Sequence, residues 1–474
     1  MTLARALGEV GVLSTAASVT TLAWAGWNDA LLTLARTSTL AFCCVVAFYY
    51  NDLYDFRIVR SFRDFASRLL QAFGVAFILL AALYASVSDL KMSNGAFILS
   101  ILAILGVLVP LRAVSYGLMR RRLFVERVLI LGRGAMANKI VREIESRPYL
   151  RYEIVGIVDD ASGSDQTLSG YPTFGTLERL DKILKATDPH RIILALTERR
   201  TRLPVRQLLD ARISGRAVED AVNAYERFTG KIAIESLTPS NLIFSSDFRK
   251  SRLDLAAGRA ASLLVAVVGL ILFAPLLGLI ALAIKTEDIL SKRPAGPVFF
   301  VQERLGMRSK RFSLVKFRTM LVTTNSRSEW VLDNSDRITV VGRWLRKFRL
   351  DEIPQFINVI RGDMNLVGPR PHPASNVELF GEKIAYYSLR CSIRPGITGW
   401  AQIRLGYANN LEEETEKMRY DLYYIKHLSF WLDLRILFDT VKTVVFGRGA
   451  QFGIQPPAAP PVSGAAAALE VGGR

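Results

Sequence analysis

The stretch Arg349-Leu350-Asp351-Glu352-Ile353-Pro354-Gln355, with Gly362-Asp363-Met364-Asn365-Leu366-Val367-Gly368-Pro369-Arg370-Pro371 after it, sets paired carboxylates among cations. Arg343, Arg346, Lys347 and Arg349 precede or adjoin the acids, and Arg370 lies in a Pro-Arg-Pro turn beyond them. Carboxylates serve as nucleophiles or as ligands of hard metal ions, and guanidinium groups match phosphate oxygens. Together they indicate chemistry on a phosphate ester. An ionised Asp351 can attack phosphorus to form an acyl phosphate, or hold Mg²⁺ across phosphate oxygens. An Asp-Glu pair alone is most often a solvated surface pair; the arginines and the Pro-Arg-Pro turn argue for function.

Two placements of the pair are open. The residue before proline avoids the α region and proline suits a first helical turn, so Ile353-Pro354 suggests a helix beginning at the acids. Its dipole and unpaired N–H groups would keep the acids ionised and help hold a phosphate. Alternatively, residues 342–350 are themselves helical and the acids lie at their end. A second cationic segment, Lys316-Phe317-Arg318-Thr319-Met320, follows a strand-like run. Alternation would turn Lys316 and Arg318 to one face and Phe317 inward, although an exposed basic edge strand has the same pattern. Arg394-Pro395-Gly396-Ile397-Thr398-Gly399-Trp400-Ala401-Gln402 is a turn that lets backbone approach a ligand, or a purely structural one.

These residues must be positioned at a membrane. The 474 residues are 50% hydrophobic and 22% charged, and the two kinds are segregated. The long apolar runs lie in the first 120 residues and at 260–284. A formal charge of +18 suits nucleic acid, an anionic leaflet or a phosphorylated substrate. No nucleic-acid signature occurs, so the cytoplasmic leaflet is the favoured partner. Three cysteines, Cys43, Cys44 and Cys391, exclude a disulfide framework, and three scattered histidines argue against zinc. A metal here would be oxygen-bound and Mg²⁺-like.

Candidate transmembrane helices occur at 10–26, 30–50, 67–87 and 95–118, each near the roughly 20 residues a bilayer requires. They read as retained spans rather than a cleaved signal peptide. Arg57, Arg60, Arg63 and Arg68 follow the second, and Arg120, Arg121 and Arg122 follow the fourth. The positive-inside rule places both ends of this bundle in the cytoplasm. Strand–helix alternation over 126–222 indicates a parallel α/β domain. The apolar run 260–284 has basic flanks, Arg249, Lys250, Arg252 and Arg259 before it and Lys285, Lys292 and Arg293 after it, with Pro275 inside. A helix broken at Pro275 that enters and leaves on one face satisfies both flanks; a kinked ordinary span is the alternative. Residues 420–445 are amphipathic, suited to the headgroup region or to a domain core. The Pro-, Ala- and Gly-rich tail is expected to be disordered.

In series, the Pro-broken helix, Gly296-Pro297-Val298-Phe299, residues 316–320, the acid pair, residues 362–371 and residues 395–402 resemble the bacterial sugar transferases, the monotopic phosphoglycosyl transferases. The match covers about residues 250–449. The spans and α/β domain ahead of it resemble the large form, the polyprenyl glycosylphosphotransferases. Leu203-Pro204-Val205, Val218-Glu219-Asp220 and Tyr225-Glu226-Arg227-Phe228-Thr229-Gly230-Lys231 resemble its exosortase-associated exopolysaccharide subgroup. The resemblance implies a ping-pong reaction at the bacterial inner (cytoplasmic) membrane, with soluble domains facing the cytoplasm. Asp351 would attack the sugar-bearing phosphorus of a UDP-hexose, releasing UMP, and undecaprenyl phosphate would take up the phosphosugar. Asp351 and Glu352 would be catalytic and hold Mg²⁺. Lys316, Arg318, Arg346, Arg370 and Arg394 would bind phosphate groups. Family members often carry Ser before the helix-breaking proline; here it is Ala274.

The expected fold is a membrane protein of α+β class. It comprises a four-helix transmembrane bundle (1–122), a Rossmann-like α/β cytoplasmic domain (123–248), a membrane re-entrant helix (249–285), a small α/β catalytic domain (286–450) and a disordered tail (451–474). Gly132-Arg133-Gly134-Ala135-Met136-Ala137, with Asp159-Asp160 further on, approximates a dinucleotide fingerprint. The Arg inside it favours a structural, oligomerising or regulatory domain over a bound nucleotide, and a homodimer is compatible. The competing readings are a membrane-anchored nucleotide-sensing scaffold with an inactive C-terminal domain, and an NAD-dependent sugar-nucleotide oxidoreductase. The intact acid pair opposes the first. The second lacks a Tyr-x-x-x-Lys pair between Glu126 and Val222.

Overall fold

The structure, a computed structural model, describes residues 2–25, 29–54, 59, 62–120, 125–147, 151–159, 170–196, 203–237, 242, 248, 250–291, 296–321, 337–405, 408 and 410–445. Arg57, Arg60, Arg121, Arg122, Asp160, Arg249, Lys292, Arg293 and the tail lie outside the described residues. The chain forms two compact units, Met1–Phe228 and Thr229–Arg474.

The first unit opens with helices α1 (Thr2–Ala25), α2 (Ala30–Tyr50), α3 (Phe62–Ser86) and α4 (Asn94–Arg120). The four helices long and apolar enough to cross a membrane are Ala30–Tyr50, Phe62–Ser86, Asn94–Ser115 and the later Arg252–Leu290; α1 is not among them. Its serines and threonines dilute its hydropathy and meet α2 and α4 instead. Ser14 pairs with Ser38 at 2.7 Å, Ser18 with Thr37 at 2.6 Å, and Thr21 with Ser100 at 3.0 Å. Arg112 closes one end of the bundle on Glu9 at 2.6 Å. Hydroxyl pairs between helices substitute for the hydrophobic drive that lipid does not supply.

The α/β part follows: β1 (Glu126–Leu131), α5 (Ala135–Glu145), β2 (Tyr152–Val158), α6 (Leu180–Thr187), β3 (Arg191–Leu194), α7 (Val205–Ile213), β4 (Ala217–Asp220) and α8 (Ala221–Thr229). The four strands form one parallel sheet in the order β2-β1-β3-β4. Gly132 ends β1 at φ +101°, and a Cβ there would lie 2.8 Å from the Ala195 backbone, so the turn requires glycine.

The second unit begins with the 39-residue helix α9 (Arg252–Leu290), five residues longer at its end than the expected boundary at 285. It continues through β5 (Phe299–Leu305), β6 (Arg311–Phe317) and α10 (Val340–Lys347). A 3₁₀ turn (Leu350–Gln355), α11 (Phe356–Arg361), β7 (Asn365–Val367) and α12 (Ala374–Lys383) follow. The described fold ends with β8 (Gly396–Thr398), α13 (Trp400–Leu405), α14 (Leu411–Lys426) and α15 (Phe430–Val445). β5 and β6 form an antiparallel hairpin, and β7 and β8 a parallel pair.

Pro275 lies within α9, and both sides of it pack on this unit. Before it, the Ser262 hydroxyl accepts from Leu366 N, and Gly269 closes on Phe356, whose ring would lie 2.6 Å from an added Cβ. After it, Ile280 and Ile284 join Phe317 and Leu345 in one core cluster. Leu264, Ile271, Leu272, Leu279 and Leu282 remain exposed. Asn358 joins α11 to the hairpin by donating to Ser313 O at 2.7 Å and accepting from Val315 N at 3.1 Å. α15 packs Ile436 into the core and leaves Trp431 and Val441 exposed, so it serves as a core helix with outward apolar residues.

Candidate active site

The acid pair lies in neither a regular helix end nor a regular helix start. α10 is capped by Thr339, whose hydroxyl accepts from Gly342 N at 2.9 Å, and the helix ends at Lys347. Gly342 is required there, because a Cβ would sit 2.2 Å from Thr319 O. Arg349 then turns left-handed, at φ 56°, and the 3₁₀ turn carrying Asp351 and Glu352 leads into α11. Both carboxylates are buried, Asp351 at 6% and Glu352 at 7% exposure. Such burial excludes the solvated-pair reading.

The two acids are electrostatically unlike. Glu352 Oε1 accepts from Arg349 Nη1 at 3.1 Å and from Arg370 Nη2 at 2.9 Å. Burial alone would raise its carboxyl, but Arg370 and Arg349 outweigh that and hold it at about 2. Asp351 is pushed upward by burial and by the Glu352 anion, against the pull of Lys316, Arg349 and Arg346. Its Oδ1 has no hydrogen-bond partner among the described residues. A buried carboxylate oxygen with no partner is poised to receive a ligand or to attack one.

Three predicted cations converge here. Lys316 and Arg346 both act electrostatically on Asp351, and Arg370 bonds Glu352. Arg346 is aimed by its Nε bond to Thr319 Oγ1 at 3.2 Å. Lys316 lies across the hairpin from Phe300, with its ammonium 5.1 Å from that ring. Burial, together with Arg304, Arg370 and Arg346, holds Lys316 down to about 8.

Arg318 and Arg394 are placed elsewhere. β6 ends at Phe317, so strict alternation stops there, and Arg318 turns into a buried ion pair with Asp288 at 2.6 Å. Arg394 donates to Gly362 O at 3.2 Å, closing the end of α11. Both guanidinium groups support the fold around the site. Pro275, the expected break, lies inside α9, which runs as one helix from Arg252 to Leu290.

Sequence reasoning missed what holds Arg370. Four successive carbonyls of its turn each accept one donor. Pro369 O takes Gly396 N at 3.0 Å, Arg370 O takes Arg390 Nη2 at 3.2 Å, Pro371 O takes Arg304 Nη1 at 3.2 Å, and His372 O takes Leu305 N at 3.0 Å. Arg390 is in turn anchored by Glu414 at 3.0 Å and Asp421 at 2.9 Å. Tyr387 donates to Glu414 Oε1 at 2.9 Å, and Lys417 approaches Glu414 at 3.6 Å. Burial and the adjoining Arg390 keep His372 well below its ordinary range, hence neutral. The prolines supply no N–H, so the turn's geometry rests on these donors.

A divalent cation fits this donor set. Mg²⁺ is commonly held by one or two carboxylates with the remaining positions given to water and substrate phosphates. The unpartnered Asp351 Oδ1 and the second oxygen of Glu352 offer such a pair, and no larger cluster of potential ligands occurs among the described residues.

Comparison with known proteins gives the family. Residues 253–447 match the family model described as bacterial sugar transferase, and residues 50–210 match a CoA-binding domain model. A UDP-glucose:undecaprenyl-phosphate glucose-1-phosphate transferase of Klebsiella pneumoniae is 32% identical over 385 residues, covering 79% of this chain and 80% of that protein. A protein of the same name from Escherichia coli K12 is 34% identical over 323 residues, 66% of each chain. A UDP-N-acetylgalactosamine-undecaprenyl-phosphate N-acetylgalactosaminephosphotransferase of Aeromonas hydrophila is 38% identical over 227 residues, 48% of this chain. The chain spans about half of that last protein's length, 52%.

Proposed function

We propose, from the premise that this chain belongs to the bacterial sugar transferase family, that it transfers a hexose 1-phosphate from a UDP-sugar to undecaprenyl phosphate, initiating assembly of an exopolysaccharide or O-antigen. The observation that carries this reading is the buried, unpartnered oxygen of Asp351 beside a Glu352 that two arginines keep ionised.

In the first step, an Asp351 carboxylate oxygen attacks the sugar-bearing phosphorus. The new O–P bond forms as the bridging P–O bond breaks, and its electron pair leaves on the phosphate of UMP. In the second step, a phosphate oxygen of the acceptor attacks the same phosphorus, the acyl-phosphate P–O bond breaks, and the Asp351 carboxylate is restored. Lys316, Arg346 and Arg370 offset the negative charge of the donor, and clamping of the Arg370 turn keeps its guanidinium fixed. Asp351 and Glu352 would hold Mg²⁺, whose charge would lower the repulsion between donor and carboxylate.

Packing of α9 on one unit both before and after Pro275 supports a helix that enters and leaves the cytoplasmic side of the inner membrane. A soluble donor and a lipid-borne acceptor could then meet at one face without any domain crossing. The four apolar helices agree with a membrane protein.

Lys316 gives this reading a pH signature. A lysine held at about 8 is charged below that pH and neutral above it, so the donor loses a phosphate contact as pH rises. The kcat/KM for the donor should fall through an inflection near that value, and Lys316→Arg should remove the inflection. A profile unchanged by Lys316→Arg would assign the inflection to another group.

The reaction itself is tested by incubating the solubilised full chain with a panel of UDP-sugars, undecaprenyl phosphate and Mg²⁺. UMP and a lipid-linked pyrophosphoryl sugar should appear together with particular donors. Absence of UMP with every donor, from folded protein, would favour the scaffold reading.

A further inference from the structure

The site described so far accounts for the donor's phosphates and leaves the other substrate's chain without a place. β5 supplies one. Phe299, Phe300 and Val301 are consecutive strand residues exposed by 44%, 41% and 56%. Successive strand side chains point to opposite faces, so both faces of this end of the hairpin present apolar surface. A soluble hairpin buries one face; three exposed apolar neighbours in succession mark a surface made for an apolar partner.

The character changes sharply along the strand. After Val301 come Gln302, Glu303 and Arg304, and the far end carries Arg308, Lys310 and Arg311. The apolar end is tied to α9, since Gly296 O accepts from Lys285 and Gly296 N donates to Asp288. That end of α9 exposes Leu279, Leu282, Ile289 and Leu290. The end of α9 to which the hairpin is tied thus exposes apolar residues as β5 does, and the hairpin has one end suited to acyl chains and another suited to water.

The boundary between the two ends falls at the site. Register places Phe300 opposite Lys316, and Phe300, Gln302 and Arg304 share the face that Lys316 occupies. The Lys316 ammonium is 5.1 Å from the Phe300 ring, and Asp351 lies within its electrostatic reach. Arg304 holds the Arg370 turn from the same face. Apolar surface thus runs up to the cation beside the reacting carboxylate.

We propose that the apolar end of β5, with Phe300 on the Lys316 face and Phe299 and Val301 on the other face of the same edge strand, receives the first isoprenoid units of the acceptor over its edge, delivering its phosphate past Lys316 to Asp351. The proposal rests on the transferase reading for the identity of the acceptor. A prenyl chain is the occupant that these features select. Its headgroup must reach a carboxylate at the polar edge while its hydrocarbon stays in an apolar environment, and the strand offers both within three residues.

The test uses the full chain in vesicles of phosphatidylethanolamine and phosphatidylglycerol with a benzophenone-bearing polyprenyl phosphate. Photolabel should map to the peptide containing residues 299–301 and be displaced by undecaprenyl phosphate but not by phosphatidic acid. Label elsewhere, or equal displacement by phosphatidic acid, would overturn the proposal and leave an ordinary lipid-contact surface. In parallel, Val301→Ser should raise the acceptor KM about tenfold while the UMP burst formed without acceptor is unchanged. An unaltered acceptor KM, or a burst lost together with turnover, would also overturn it. Labelling needs no turnover, so it separates failure of the subsite from failure of the transferase reading, which shows as absence of UMP from the wild-type protein.

Discussion

Replacing Asp351 with asparagine is expected to lower UMP release from any accepted UDP-sugar by at least about 10³-fold, the scale on which losing a nucleophile acts. The same variant should be no less stable than the wild type. Asp351 is buried, its Oδ1 has no partner, and its folded pKa is raised. A carboxyl raised on folding contributes stability below its unfolded pKa and loses it as pH rises through the folded value. At neutral pH the ionised side chain is therefore a burden that the neutral amide lacks. Thermal unfolding and UMP release, measured on one preparation, check both halves. A large fall in melting temperature would mean that Asp351 acts as a structural ion instead.

Glu414→Ala is expected to have the largest effect on stability, about 3–5 kcal/mol, because it leaves Arg390 and Lys417 buried without their shared anion. Glu414 is 1% exposed and receives Arg390, Tyr387 and Lys417. Arg390 in turn holds the carbonyl of Arg370, so turnover should fall even where the variant still folds. Burial would raise the Glu414 carboxyl, but Lys417, Arg390 and the hydrogen bond from Tyr387 outweigh it and hold it at about 2. Its contribution to stability is complete above the ordinary value of 4.5 and is lost as pH falls toward 2. Asp421 works in the opposite sense. Burial lifts it to about 6, and stability associated with its protonated form is lost as pH rises through that value. Denaturant titrations of wild type and Glu414→Gln at several acidic pH values should show a shallower acid loss in the variant. Parallel curves would remove Glu414 from the acid response.

The acid pair was legible because its residues are adjacent and framed by arginines, and Arg370 because proline on either side marks it. Lys316 was legible from strand alternation, which fails one step later: β6 ends at Phe317, and Arg318 turns to Asp288. The support for Arg370 was hidden for a different reason. Glu414, Lys417 and Asp421 recur on one face of α14, a pattern that ordinarily reads as a solvated stripe, yet all three are buried around Arg390. The signal that could have exposed them is Arg390 itself, an arginine between Leu389 and Cys391 in an otherwise weakly charged run. α1 was read as a span from its apolar length, and its hydroxyls, which lower its hydropathy, are contacts between the helices of the bundle.

The acceptor surface was written in the same sequence, but its meaning depended on packing. Gly296-Pro297-Val298-Phe299 identified a resemblance without explaining why an apolar run should begin a hairpin. Once Lys285 and Asp288 pin that run to the exposed end of α9, the run acquires a direction and a partner. Pairing with Lys316 then brings it to the acids.

The most direct test of the account is mass analysis of the wild-type protein mixed with an accepted UDP-sugar in the absence of acceptor. A covalent phosphosugar should be found on the peptide containing Asp351, formed with stoichiometric UMP and discharged when undecaprenyl phosphate is added. UMP released only in the presence of acceptor, with no adduct at Asp351 at any time, would contradict a covalent mechanism and require direct transfer between the two substrates.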